Sequence, residues 1–334
     1  MSVSVVDADG QGSATVGSRR RLRLSLRVLT TGLISALSVG ALFWVAPPGE
    51  VISSISNMNP VWLLAAVAFE LGSCLSYVVV FRRFFPEPPR PVSRQVAWIA
   101  MGAGAVLPGG NFSSAATTGW LLRKHGIGAR RLIERCGALL CFLILFGFFI
   151  NGVAGAVLLV GIGRGPHDLE HTGIPILVSL FVIGTAVGTM LVARRYRSGG
   201  PKALRSVGAS LAGAWESLLR PHWRMLGAAG FLWLDMAALW AACQATGHPL
   251  GTLPLALAYF IGYLATMIPM PAGLGVLDSG LAGALVLYGF SPAASVGAVL
   301  VYHAIAVWVP GLGGLVAWLP SRGRGLAPAV ASPH

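Results

Sequence analysis

The chain has 334 residues, 55% of them apolar and only 10% charged, with a mean hydropathy of +0.74. A soluble domain carries about 25% charged residues, so this composition excludes one and assigns the chain to the lipid bilayer. The net charge of +13 would suit a nucleic-acid binder only if the cations were gathered on one domain, and they instead recur in short segments between apolar runs.

Residues 1–27 form a polar, then basic, tail that includes Arg19, Arg20 and Arg21. The apolar run at 28–46 lacks a small-residue cleavage site, so it reads as a first membrane anchor rather than a signal peptide, with the arginines as its cytoplasmic flank. Further runs long enough to cross lie at 60–81, 136–162, 174–193, 225–246 and 293–319. Two stretches differ: 96–122 is interrupted by Leu107-Pro108-Gly109-Gly110-Asn111, and 254–290 by Ile268-Pro269-Met270-Pro271-Ala272-Gly273-Leu274-Gly275. The arm from Val96 to Leu107 would reach only about 18 Å at 1.5 Å per residue, short of the ~30 Å hydrocarbon core, so it cannot cross alone.

Charge placement then chooses the topology. If both interrupted stretches are re-entrant hairpins and the N-terminus is cytoplasmic, 23 of the 24 Lys and Arg fall inside, with Arg164 outside. If the first stretch crossed instead, the basic loops at 123–135 and 194–224 would both lie outside. The expected fold is therefore an all-α polytopic membrane bundle of six transmembrane helices plus two re-entrant hairpins, with both termini cytoplasmic and residues 320–334 as the C-terminal tail. It divides into a first repeat at 28–162, whose hairpin faces the cytoplasm, and an inverted second repeat at 174–319, whose hairpin faces outward. An offset of 163 residues aligns Pro108 with Pro271, Gly110 with Gly273, Gly126 with Gly289 and Ile127 with Phe290. Inverted repeats with paired broken helices are a recurring transporter plan, with the binding site at the repeat interface. Between the halves, Leu204, Val207, Leu211, Trp215 and Leu218 share one helical face, which predicts an amphipathic helix on the cytoplasmic leaflet.

Non-helical backbone is tolerated at membrane depth only where protein covers it or it lines a wet cavity. The two breaks thus mark a candidate binding cavity, lined by Pro108, Gly109, Gly110 and Asn111 on one side and by Pro271, Gly273, Gly275 and Asp278 on the other. Ser113, Ser114, Thr117 and Thr118 make the first return arm polar, either to meet a headgroup or to stitch helices together. Glu70 and Asp235 sit within crossings, and an ionised carboxylate there costs at least about 2.5 kcal/mol, so each is expected to face the protein interior. The offset maps Glu70 to position 233, two residues from Asp235. With His303, the histidine deep in the last crossing, these acids are candidates for charge or proton coupling, and for structural hydrogen bonds as the plainer alternative. Cys74, Cys136, Cys141 and Cys243 form no CxxC pair and read as small apolar side chains rather than a metal or disulfide set. The absence of a phosphate-loop motif, HExxH and GxSxG argues against direct ATP hydrolysis and against a cofactor.

The run Ile268-Pro269-Met270-Pro271-Ala272-Gly273-Leu274-Gly275-Val276-Leu277-Asp278, with Leu287-Tyr288-Gly289-Phe290-Ser291-Pro292 and Trp308-Val309-Pro310 after it, resembles the flippase-like membrane domain of the lysylphosphatidylglycerol synthetase family. Leu107-Pro108-Gly109-Gly110, followed by Leu121-Leu122-Arg123-Lys124-His125-Gly126, is similar to the variant common in high-GC Gram-positive bacteria. Ala272 stands where the family motif has a glycine, Asp278 where it has a glutamate, and Gly110 and Asn111 where many members carry arginine and glutamate. The resemblance implies a bacterial cell-membrane protein that moves or binds a phospholipid or polyprenyl-linked lipid between leaflets. Bifunctional members add an aminoacyl-transferase domain that this sequence does not contain, so aminoacylation is not implied. An intramembrane enzyme acting on a lipid-linked substrate and a non-catalytic membrane partner subunit are the alternatives, with homo-oligomers or other membrane proteins as possible partners.

Overall fold

A computed structural model describes residues 47–323, apart from 108, 163–166, 196–200, 221, 249–250 and 266–275. Among the described residues helices are joined by short turns with no strand, and eleven α-helices follow in order. These are α1 (Pro48–Ser56), α2 (Pro60–Phe84), α3 (Arg90–Val106), α4 (Asn111–Arg123), α5 (Ala129–Leu159), α6 (Leu169–Arg195), α7 (Lys202–Leu219), α8 (Leu226–Ala245, led by a 3-10 turn at Trp223–Met225), α9 (Thr252–Ala265), α10 (Val276–Leu287) and α11 (Pro292–Gly323). Five spans, Pro60–Phe84, Ala129–Leu159, Leu169–Arg195, Trp223–Ala245 and Pro292–Leu319, are long and apolar enough to cross a membrane, and they coincide with five of the six expected crossings. The sixth, at 28–46, lies outside the described residues. The helix expected from 136 begins earlier, at Ala129, so part of the basic segment 123–135 is helical.

The boundaries follow local chemistry. Pro60 opens α2 with the Asn59 side chain accepting from Val61 N–H at 2.9 Å, a cap combined with a proline whose missing donor costs nothing there. Gly126 and Gly289, the residues aligned by the 163-residue offset, both end a short helix in the left-handed region, with φ of +80° and +92°. The offset reappears in the element starts: α2 begins at Pro60 and the turn leading α8 at Trp223, and α5 begins at Ala129 and α11 at Pro292.

Helices α2 and α8 form an antiparallel pair at the centre. Asn59 N–H donates to Ala245 O at 2.9 Å, Gly72 abuts Leu234, Ser73 Oγ donates to Phe231 O at 2.9 Å, and Gly230 and Gly227 lie on the backbone and side chain of Ser76 and Val80. Small residues bring the two backbones close, which is how helices gain contact energy where lipid already solvates the apolar surface. Helix α11 touches both interrupted stretches. Its first half packs on α10, and its second half lies along α3, where Gly102 faces Pro310 and Gly314 and Gln95 donates to Ala317 O at 2.8 Å.

Exchanging α1 through α5 with α7 through α11 turns the packing pattern into itself. Contacts α3–α11, α4–α5, α3–α4, α1–α11 and α2–α11 have the images α9–α5, α10–α11, α9–α10, α7–α5 and α8–α5. At both the α1–α11 and the α7–α5 contact a serine lies against a glycine, Ser54 against Gly297 and Ser210 against Gly137, although the 163-residue offset does not align these positions. Helix α7 is amphipathic as predicted, but Leu211 and Ala214 are buried against α5 and α6 rather than presented to the leaflet, while Val207, Trp215 and Leu218 stay exposed.

Candidate functional site: an acid-centred polar cluster

Glu70 and Asp235 lie near the middle of α2 and α8, and the antiparallel register between Gly72/Leu234 and Ser73/Phe231 brings their carboxyls against one another. Glu70 is 5% exposed and receives the Cys74 Sγ–H, one turn on, at 3.7 Å. Asp235 accepts two phenols: Tyr302 of α11 donates to Oδ1 at 2.8 Å, and Tyr259 of α9 donates to Oδ2 in a short contact. Four helices therefore meet on one pair of acids. Glu70 Oε1 and both Asp235 oxygens accept a donor, while Glu70 Oε2 is buried without one, and deleting a donor would leave a further polar group without water.

Asp278, in the first turn of α10, is 3% exposed, and its Oδ1 stands 2.9 Å from Nδ1 of His303 on α11. Tyr302 and His303 are consecutive, so α11 holds Asp235 through one residue and Asp278 through the next. The two arms of the second interrupted stretch are thus tied to the bundle by acid contacts, α9 through Tyr259 and α10 through Asp278.

The first break is partly open to the surface. Gly109 has φ +104° and Gly110 φ +49°, a conformation that L side chains avoid, and it aims the start of α4 so that Gly109 O accepts Phe112 N–H and Gly110 O accepts Ser114 N–H. Gly109 and Gly110 are half-buried and Asn111 is exposed. Of the other polar residues here, Thr118 is buried and Ser114 hydrogen-bonds Tyr77 of α2, which favours stitching at that position. Pro108, Pro271, Gly273 and Gly275 lie outside the described residues.

Sequence reasoning found Glu70, Asp235, Asp278 and His303, and the structure joins them in two pairs. It missed Tyr259, Tyr302, Cys74 and Tyr77. A tyrosine inside an apolar run was the available signal, because its hydroxyl needs a partner at that depth. Among the described residues no three His, Cys, Asp or Glu side chains converge as a metal site requires, and the four cysteines are free thiols.

Long apolar helices packed through small residues, with buried acids at their crossing, define a multi-pass integral membrane protein. The model of the lysylphosphatidylglycerol synthase TM region matches residues 28–314, and the chain belongs to that family. Comparison with curated proteins finds no match.

Proposed function

We propose that this protein moves a phospholipid or polyprenyl-linked amphiphile between the leaflets of a bacterial cell membrane, without hydrolysing ATP itself. The observation that carries this reading is the contact between Glu70 and Asp235, one acid from each half of the chain, at the centre of the bundle. Two helices that hold matching places in the two halves and pack antiparallel are related by a two-fold axis in the membrane plane, and Glu70 and Asp235, two residues from exact alignment under the offset, meet close to that axis. The exchange symmetry of the packing and the matched helix starts support the same inverted repeat, with α3/α4 and α9/α10 as re-entrant hairpins of opposite orientation. In this reading six helices cross and both termini are cytoplasmic.

The headgroup is sheltered between the two breaks while its tails remain in lipid. Pro108, Gly109, Gly110 and Asn111 line the cytoplasmic side of that cavity, and Pro271, Gly273, Gly275 and Asp278 the outer side. Two ionised carboxylates in contact away from water repel, whereas one shared proton makes the contact a hydrogen bond. Glu70 and Asp235 therefore serve as the charge or proton-coupling element, and His303 does so through Asp278. Gaining or losing that proton alters the bonds that hold α9 and α11.

The test is transbilayer movement of labelled phospholipids and polyprenyl phosphates in vesicles reconstituted with the full chain, with pH gradients of either polarity. Movement at least about tenfold faster than in protein-free vesicles is expected, a barrier change of about 1.4 kcal/mol. Equal rates for every lipid would overturn the reading, as would chemically altered lipid recovered from the vesicles, which would mark an enzyme instead.

A further inference from the structure

We propose that the groove between α5, α6 and α7 binds one acyl chain of an anionic phospholipid, whose headgroup is held by Arg194 and Arg205. This site is separate from the cavity assigned to the transported lipid and does not rest on that assignment. The groove encloses about 280 Å³ and every side chain lining it is apolar, among them Leu145, Phe149, Val187, Met190, Leu211 and Trp215. It opens on the outside of the bundle, since Phe149, Trp215 and Leu218 are exposed. Two of its three walls, α5 and α6, are helices long and apolar enough to span a membrane. What meets an apolar concavity at that depth is a lipid tail, and a chain that fills it gains contacts on three sides instead of one.

The charge at one end selects the headgroup. Met190 lines the groove and Arg194 follows one helical turn later, in the last turn of α6. Gly208 of α7 packs directly on Ala193, which sets Arg205 about one turn beyond the same end. Both arginines are exposed, and the carboxylates of the groove's own helices α5 and α7 are already engaged, Glu134 with Arg130 and Glu216 with Arg220. Among the described residues no carboxylate pairs with Arg194 or Arg205. Two exposed cations without a counter-charge, at the membrane-surface end of a tail-shaped groove, complement a headgroup of net negative charge. A zwitterionic headgroup offers its phosphate together with a compensating ammonium and gains less.

Trp215 supplies the readout, because bromine atoms on an acyl chain quench an indole only on contact. The full chain, purified and titrated with dibrominated phosphatidylserine or dibrominated phosphatidylcholine, should lose emission to both lipids. The part that vanishes in Trp215→Phe should require about fivefold less phosphatidylserine for each arginine engaged. Replacing Arg194→Gln together with Arg205→Gln should bring the two lipids to parity without changing the response to phosphatidylcholine. Equal quenching by the two lipids in the unmodified protein overturns the proposal, as does quenching that Trp215→Phe leaves untouched. If Trp215→Phe does not fold, native mass spectrometry of the unmodified chain after detergent exchange decides: retention of phosphatidylserine over phosphatidylcholine supports the site, and equal or no retention overturns it.

Discussion

Glu70 and Asp235 face each other across the antiparallel contact of α2 and α8, with Asp235 further tied to Tyr259 and Tyr302 and Glu70 to Cys74. One acid from each half of the chain is thus linked to both the second interrupted stretch and the last crossing.

Glu70→Gln preserves shape and hydrogen bonding but removes the exchangeable proton. Lipid movement driven by a pH gradient in reconstituted vesicles should fall at least about tenfold, while the melting temperature changes little. Asp235→Leu should behave differently, because two buried phenols lose their acceptor at roughly 1–3 kcal/mol each. A lowered melting temperature for Asp235→Leu alone would separate the two roles, and unchanged transport in Glu70→Gln would remove Glu70 from the mechanism.

The Asp278 and His303 pair should show coupling in a double-mutant cycle. Asp278→Asn and His303→Gln each break a buried pair and should cost roughly 3–5 kcal/mol. The double variant should cost less than both together, by about 1–3 kcal/mol. Strict additivity in thermal unfolding would show that the 2.9 Å approach contributes nothing.

Glycine packing between α2 and α8 is equally open to test. A Cβ on Gly227 would lie 2.6 Å from Ser76 O and 2.8 Å from Val80 N, both backbone atoms that cannot swing aside. Gly227→Ala should therefore destabilise by about 1–3 kcal/mol. Gly119 of α4 has open space around its Cβ position, so Gly119→Ala should be neutral or stabilising by up to about 1 kcal/mol. The comparison is read from melting temperatures in one detergent.

In the loop between α2 and α3, Glu87 pairs with Arg135 from the first turns of α5, which holds its carboxyl below the usual value. A depressed carboxylate pKa adds stability that is complete above the unfolded value and disappears as pH falls through the folded one. The pair is partly exposed, so the effect should stay below about 1 kcal/mol. Melting temperatures measured from neutral to acidic pH should converge with those of Glu87→Gln at the acid end and differ only above it.

Topology can be read from cysteines placed on exposed segments. Lys124→Cys and Arg205→Cys should react with an impermeant reagent from the cytoplasmic face, and His248→Cys from the opposite face. Labelling of position 124 from outside would mean that the first interrupted stretch crosses, and the inverted arrangement would be lost.

Much of this organisation was legible in the amino-acid order. Apolar runs located five described crossings, because the free energy of leaving water is summed over residues that are neighbours in the chain. Pro and Gly located the first helix break, since each acts on its own backbone, and the left-handed Gly126 and Gly289 stand where the offset aligned them. The buried acids were visible as charges in apolar surroundings. Their partners were not. Whether Glu70 meets position 233 or Asp235 depends on the axial register of α2 against α8, which is set by Gly72, Ser73, Gly227 and Gly230 packing through space. That Tyr259 and Tyr302 close on Asp235, and that His303 turns to Asp278, follows from how α9, α10 and α11 rotate about their axes. Such rotations are decided by side-chain contacts between helices far apart in the chain, so only the folded bundle determines them.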